Sequence, residues 1–290
     1  MITQQQKHIA AIHDLSGAGR CSLTVALPVI SAAGVTCSCI PTALLSTHTG
    51  EFTNYVAHDL SAFMLPIAKH WKNSGLRVDG IYSGYLASPK QAEILSKIID
   101  TLAGEETLVI VDPVMADNGA YYANLDERMC AAFRTLVARA DLLTPNVTEA
   151  ALLTGLPYRA APHGESYIRA LFDGLFELGA KTVALTGVSS TVGLLGNAIA
   201  KRGQEPVFEL RETREGVFYG TGDLFASALS ALTVLGVEPA QALRTATDLV
   251  DDAVANALRR GTPRRFGVDF ENALAPFIRR VDQLRSEKSM

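Results

Sequence analysis

Short apolar runs alternate with longer amphipathic ones from residue 9 to residue 185, and this alternation restricts the fold more than any other feature of the chain. Strand-like runs fall at residues 9–12, 35–40, 80–83, 108–111, 142–143 and 182–185, and helical periodicity covers 22–33, 59–72, 89–102, 126–138 and 164–178 between them. A strand, a crossover helix and a second strand bring the chain back in the same direction. The pattern therefore predicts an α/β fold, with a mostly parallel sheet covered by helices on both faces. Past Gly187 the rhythm changes. Residues 191–195 and 207–210 read as antiparallel edge strands, and helices follow over 221–235 and 239–259, the second with Pro239 in its first turn and Gly261 near its end. With 290 residues and 48% hydrophobic content the chain can bury one substantial core, so residues 1–290 are expected to form a single domain. Ligand sites in such sheets lie beyond the carboxyl ends of the strands, so the segments that follow strands are where chemistry is sought.

Composition narrows the partners. Twenty-six Lys and Arg against 30 Asp and Glu offer no basic surface of the kind nucleic acid requires, which favours a small-molecule substrate over a polymer. The stretch before Ile9 lacks the apolar core of a secretory leader, and no later stretch approaches the roughly 20 apolar residues of a membrane span. A cytoplasmic protein is expected. Cys21, Cys37, Cys39 and Cys130 form no C-x-x-C pair and no zinc-finger spacing, and buried thiols are the default for them. The basic run at 259–265 reads as a solvated surface segment.

The segment Gly220-Thr221-Gly222-Asp223 leads directly into an apolar helix. Its glycines permit a tight turn with unpaired N–H groups, and the first helical turn adds partial positive charge, so an anion can be held there. An acid beside an anion site repels the anion unless it has another task. The obvious task is to take a proton from an acceptor hydroxyl attacking the γ-phosphorus of a nucleotide. The same tetrapeptide also suits a glycine turn with Asp223 as a helix cap.

Two further segments carry acids. Asp112 follows the strand at 108–111, with Pro113 forcing an extended exit, and Asp117 follows shortly after. Acids so placed can bind, directly or through water, the magnesium that bridges nucleotide phosphates, although Asp112 fits a turn after a strand equally well. In Leu143-Thr144-Pro145-Asn146-Val147-Thr148-Glu149, Asn146 and Glu149 have the spacing of a capping box, and Glu149 is also a candidate acid near a metal. At the start of the chain, His13-Asp14-Leu15-Ser16-Gly17-Ala18-Gly19 lacks the third glycine of a dinucleotide fingerprint but could hold a polar small molecule through Asp14. His48 and Thr49 after the second strand, and Tyr85 after the third, would line the same edge.

With these segments in order, the chain resembles the ribokinase superfamily, and most closely the pyridoxal/pyridoxamine kinases of vitamin B6 salvage, over residues 9–257. Ser46-Thr47-His48-Thr49-Gly50 resembles that family's S-N-H-T substrate segment. Ser83-Gly84-Tyr85-Leu86, Asp112-Pro113-Val114-Met115 and Thr144-Pro145-Asn146-x-x-Glu149 resemble its other signatures, and Gly220-Thr221-Gly222-Asp223-Leu224-Phe225-Ala226 resembles the superfamily's anion-hole and base motif. The resemblance implies a ribokinase-like three-layer sandwich and ATP-dependent phosphorylation of the 5′-hydroxymethyl group of a B6 vitamer, with Mg²⁺ and a monovalent cation such as K⁺, in a homodimer. Asp223 would be the base, and the N–H groups of Gly220, Thr221, Gly222 and Asp223 would stabilise charge on the phosphoryl group. Asp112, Asp117 and Glu149 would lie at the metal, and Thr144, Asn146, Thr186 and Gly187 by the nucleotide. Asp14, His48, Thr49 and Tyr85 would lie by the substrate.

One position departs from the commonest pattern. Many pyridoxal kinases carry Ser in a Q-S-H segment where this chain has His13-Asp14-Leu15. An ionised Asp14 there favours a protonated ring nitrogen or a cationic substituent, and so pyridoxamine or pyridoxine over pyridoxal. The run Asp14-Leu15-Ser16-Gly17-Ala18-Gly19 is also similar to the D-P-S-G-G-A-G segment of the hydroxymethylpyrimidine kinases of thiamine synthesis, which stand as the alternative. A silent vitamin-binding protein on the same fold would be expected to lose the base or the glycine loop first, and this chain keeps both.

Overall fold

The computed structural model describes residues 6–288. Residues 1–5, part of the N-terminal stretch read above as lacking a leader's apolar core, lie outside that description, as do 289–290. The chain runs β1 (His8–Ser16), α1 (Leu23–Ala32), β2 (Thr36–Leu45), β3 (Ala57–Asp59), α2 (Ser61–Asn73), β4 (Gly80–Ser83), α3 (Pro89–Leu102) and β5 (Leu108–Val111). A small hairpin of β6 (Ala116–Asp117) and β7 (Ala120–Tyr121) precedes α4 (Glu127–Val137), β8 (Leu142–Leu143), α5 (Val147–Thr154), α6 (Glu165–Glu177) and β9 (Thr182–Val188). Then come β10 (Leu194–Lys201), β11 (Val207–Glu212), α7 (Thr221–Val234), α8 (Pro239–Arg260) and α9 (Leu274–Lys288).

Nine strands form one sheet in the order β11-β10-β9-β8-β5-β4-β1-β2-β3. Every pairing from β2 across to β9 is parallel, while β3 at one edge and β10 and β11 at the other are antiparallel. The period of two along each strand sends alternate side chains to opposite faces, and two separate cores result. Ala10 and Ile12 of β1, with Val109 and Val111 of β5, join a core with Met64 of α2, Leu95 of α3, Phe133 of α4 and Ile168 of α6. Ile9 and Ala11, with Ile110, face the other way onto α1, α7, α8 and α9. This is the mostly parallel α/β sandwich expected from the alternation.

The structure moves several boundaries. Asp59 was expected to open a helix but closes β3, where its Oδ1 accepts the Ser61 backbone N–H at 2.7 Å, and α2 begins at Ser61. Thr191, Val192 and Gly193, expected within a strand, form a turn, with Leu194 N–H bonded to Thr191 O and Gly193 at φ +84°, so β10 starts later. The edge strand β3, the β6–β7 hairpin and α9 lie where no apolar pattern pointed to them. All four cysteines are free thiols. Among the described residues no helix is long and apolar enough to cross a membrane.

Candidate active site

The glycine loop ends as a helix start. Gly220 is the N-cap of α7 at φ +79°, and a Cβ there would sit 2.0 Å from Arg20 O, so only glycine allows both the turn and the approach. Leu224 N–H makes the first helical bond back to Gly220 O, which leaves the N–H groups of the first turn without helical partners. A Cβ on Gly222 would meet nothing within 4 Å. The turn is therefore packed shut on one side and open on the other, and the open side presents N–H groups backed by the positive end of α7, with Thr221 in its first turn. Asp223 lies in that same turn with its side chain 14% exposed.

Both oxygens of Asp223 are anchored. Oδ2 accepts the backbone N–H of Ser22 at 2.8 Å, and Oδ1 lies 3.0 Å from Nε2 of His13. Ser22 holds φ +60°, a strained value for a residue with a side chain, immediately before α1. His13 is buried. Its Nδ1 lies 2.9 Å from Oδ1 of Asp14, so the ring joins two carboxylates. Neighbours along a regular strand face opposite ways, but these two meet where the β1–β2 register shifts, His13 pairing with Pro41 and Leu15 with Leu44. Burial lowers the His13 pKa, but the hydrogen bonds and charges of Asp14 and Asp223 outweigh it and raise the value to about 10. Sequence reasoning passed over His13. Its one visible signal was its place beside Asp14 at the end of the first strand.

The acids after β5 and β8 lie at the ends of the neighbouring central strands, where the charge of Asp223 reaches Asp112. Asp112 is buried, and burial together with the charge of Asp223 pushes its carboxyl up to about 8. Thr144 lies beside it, its buried hydroxyl making no hydrogen bond of normal geometry. Glu149 forms the full capping box with Asn146. Its Oε2 accepts the Asn146 N–H at 2.9 Å and its Oε1 that of Met115 at 3.0 Å, while Asn146 Oδ1 accepts the Glu149 N–H. Burial, then the charge of Asp112, push Glu149 above the usual carboxylate range against the pull of those N–H groups. Asn146 also donates to Ala116 O, so the capping role of this pair is fully realised.

Asp117 differs from the other two acids. It turns into its own hairpin, accepting from the backbone and side chain of Asn118. Among the described residues no three His, Cys, Asp or Glu side chains are grouped to hold a metal ion by themselves, so the expected Asp112, Asp117 and Glu149 set is not a preformed cage. An ion here would need phosphate oxygens and water to complete its shell, which is how Mg²⁺ is commonly held beside nucleotides. Thr186 and Gly187, at the end of β9, stand next to this group: Thr186 N–H bonds Pro145 O, and a Cβ on Gly187 would meet nothing within 4 Å.

A cavity of about 270 Å³ is walled by Leu45, Thr49, Tyr55, Asp59, Tyr85 and Asn124, among others. Thr49 and Tyr85, expected by the substrate, both line this cavity, and so do Tyr55, Asp59 and Asn124, which come from β3 and from irregular loops and which no sequence signal singled out. Burial pushes the Tyr85 hydroxyl up to about 12, so it stays protonated and can donate.

Two expected substrate residues are corrected. His48 is buried away from the cavity wall, its Nε2 bonded to Arg265 O and its Nδ1 accepting the Gly50 N–H, with Phe52 and Tyr219 against the ring. Both ring nitrogens are used in joining loops. Asp14 is 3% exposed, with Oδ1 on His13 and Oδ2 accepting from Ser16 Oγ, so no free carboxylate remains to favour a cationic vitamer. The basic run at 259–265 is exposed along most of its length. It also packs on the site's rim, through Arg265 against Phe52 and Phe266, and the Arg264–Glu51 ion pair.

A mostly parallel sheet whose strand ends carry a glycine turn, an anchored acid and a second group of acids defines a small-molecule kinase of the ribokinase-like class. The sequence profile of the phosphomethylpyrimidine kinase family matches residues 16–266, and the chain belongs to that family. It is 31% identical to a pyridoxine/pyridoxal/pyridoxamine kinase of Bordetella pertussis over 84% of this chain and 87% of that one. It is 30% identical to a hydroxymethylpyrimidine/phosphomethylpyrimidine kinase of Bacillus subtilis over 64% and 67% of the two chains. Among solved structures, a candidate phosphomethylpyrimidine kinase from Bacteroides thetaiotaomicron, in a crystal form with pyridoxal, superposes with a TM-score of 0.86 at 32% identity, covering 94% of this chain and 96% of that one.

Proposed function

We propose that this kinase transfers the γ-phosphoryl group of ATP to the 5′-hydroxymethyl group of a B6 vitamer. The observation that carries this reading is the placement of Asp223: an anchored carboxylate, partly open, in the same helical turn as N–H groups suited to a phosphoryl group. Asp223 accepts the hydroxyl proton as the oxygen attacks phosphorus, and the first turn of α7 takes up the charge that develops. Asp112 and Glu149, with Thr144, Asn146, Thr186 and Gly187, serve the metal and nucleotide. Asp112 and Glu149 would help to hold Mg²⁺, which would supply neutralisation of the phosphate charge. The cavity beside Tyr85 and Thr49 holds the aromatic ring of the acceptor. The B6 assignment draws support from the Bordetella relative and the pyridoxal-containing Bacteroides structure.

Hydroxymethylpyrimidine is the second reading, favoured by the family profile and the Bacillus relative. Initial rates with Mg-ATP on pyridoxal, pyridoxine, pyridoxamine and hydroxymethylpyrimidine decide between them. The proposal expects kcat/KM for one vitamer to exceed that for hydroxymethylpyrimidine, and the reverse order overturns it. Replacing K⁺ by an organic cation in the same assay tests the monovalent-ion requirement. Leu44, Val56 and Phe63 are exposed apolar residues around the β2–β3 edge and support a second copy of the chain there, which sedimentation would detect.

A further inference from the structure

The His13–Asp14 pair, which the substrate reading leaves without a task, lies directly behind the proposed base. We propose that His13 is a positioning residue for Asp223: its Nε2–H holds Oδ1 of that carboxylate in the orientation that receives the acceptor proton, and Asp14 holds the far side of the ring. This rests on Asp223 being the base.

The geometry fixes the proton on Nε2. Nδ1 is approached by Asp14 Oδ1 at 2.9 Å and by the backbone N–H groups of Asp14 and Tyr85 at 3.0 and 3.2 Å. An imidazolium donates from Nδ1 to Asp14 and from Nε2 to Asp223, whereas either neutral tautomer would set one bare ring nitrogen against a carboxylate oxygen, at 2.9 or 3.0 Å. Four independent features hold this arrangement. The register shift between β1 and β2 falls at His13 and Asp14, where the two side chains meet at 2.9 Å. Ser16 Oγ secures the second oxygen of Asp14 at 2.9 Å. Strained Ser22 aims its N–H at Asp223 Oδ2. Gly84 leaves the slot for the ring, since a Cβ there would lie 2.0 Å from His13 Cδ2.

The consequence for the reaction is orientation. Each Asp223 oxygen has one lone pair engaged, by His13 or by Ser22, and the others remain for the acceptor. The hydroxyl proton passes to Asp223 as the new O–P bond forms and the bond to the leaving ADP oxygen breaks. His13 neither gains nor loses a proton in that step. The Ser-Gly-Tyr-Leu segment thereby acquires two tasks, Gly84 admitting the ring behind the base and Tyr85 facing the acceptor cavity.

Steady-state kinetics of His13→Gln, Asp14→Asn and Gly84→Ala, with melting curves to establish folding, test the assignment. All three are expected to lower kcat, His13→Gln by about 10–10²-fold, through misplacement of the base. KM for nucleotide should stay within about twofold, because the nucleotide contacts are untouched. Every acceptor should lose the same factor, so that their ranking is unchanged. Gly84→Ala should be less damaging to the melting temperature in the His13→Gln background, where no ring fills the slot. A His13→Gln protein with wild-type kcat, beside an Asp223→Asn protein without turnover, would overturn the role of His13 and leave the base intact. Full turnover in Asp223→Asn would instead remove the base itself. Variants at 13 and 14 that reorder the acceptors without lowering kcat would return the pair to substrate recognition and end the proposal. Should His13→Gln fail to fold, Asp14→Asn and Gly84→Ala decide it alone.

Discussion

The two halves of the site are built in opposite ways. The phosphoryl-transfer half joins the N-terminus of α7 to the ends of the central strands, and its residues are interlocked: Asp223 to His13 and Ser22, His13 to Asp14, Glu149 to Asn146 and Met115. The acceptor half lies under the three-residue edge strand β3 and the loop at 46–56, and its walls are mostly exposed or half-buried side chains. On the proposed reading, phosphoryl transfer makes the same demands whichever acceptor is bound, so its residues can be fixed rigidly. Substrate choice is assigned to elements whose alteration leaves the core alone. Changes in the first half should therefore appear in kcat and stability, and changes in the second in KM and acceptor ranking.

The largest expected effect is at the base. Asp223→Asn should lower kcat by about 10²–10⁴, the usual range for loss of a general base, with nucleotide affinity nearly unchanged by calorimetric titration. A loss confined to KM would break the division between the halves. The two glycines of the turn sharpen it. Gly220→Ala puts a Cβ 2.0 Å from Arg20 O at a positive φ and should cost about 1–3 kcal/mol of stability as well as activity. Gly222→Ala meets only open space in the free protein, so it should fold normally and lose turnover where its methyl intrudes on the phosphoryl group. Equal melting temperatures for the two variants would show that both glycines have the same task.

A third effect is smaller and depends on pH. Asp112 ionises at about 8 in the folded protein against an ordinary value of 3.8. Between those values the folded state holds a proton that the unfolded chain has released, so stability falls as pH rises through the window. Asp112→Asn removes the titration. It should match the native melting temperature near pH 4 and exceed it by several degrees near pH 8, at the expense of metal-dependent turnover. A gap constant with pH would mean that Asp112 is already ionised and paired, and that this half of the rim is less buried than its geometry indicates.

How much of this was legible follows from the same division. The central strands were readable because fully buried β-runs are continuous and apolar, and β4, β5 and β8 fall at 80–83, 108–111 and 142–143, where the pattern put them. The turn at 220–223 was readable as a helix start because its glycines stand directly before an apolar run, although the tetrapeptide alone suits a cap as well as a base. His13 was not readable, since its contact with the adjacent Asp14 occurs at a register shift, and nothing in the local pattern announces one. Asp14 misled for the same reason. As a carboxylate after a strand it looked available, and only the fold shows both its oxygens engaged. β3 escaped because three exposed residues carry no periodicity, and with it went Asp59 and Tyr55 of the cavity wall.

The smallest effects belong to that wall. Tyr85→Phe removes a hydroxyl that stays protonated at any ordinary pH, because burial raises it to about 12, and so removes one donor from the acceptor cavity. Loss of a single neutral hydrogen bond is worth about 0.5–1.5 kcal/mol, or roughly two- to tenfold in KM. Asp59 is already engaged, by Ser61 N–H and the Gln91 amide, so Asp59→Asn should change acceptor KM less than Tyr85→Phe does. Measured across the four acceptors, the Tyr85 variant should alter their ranking while kcat for each stays within about twofold. A uniform fall in kcat is the informative failure. Tyr85 N–H also lies 3.2 Å from His13 Nδ1, so such a fall would mean that the cavity wall and the base move together, and the separation of the two halves would no longer describe the site.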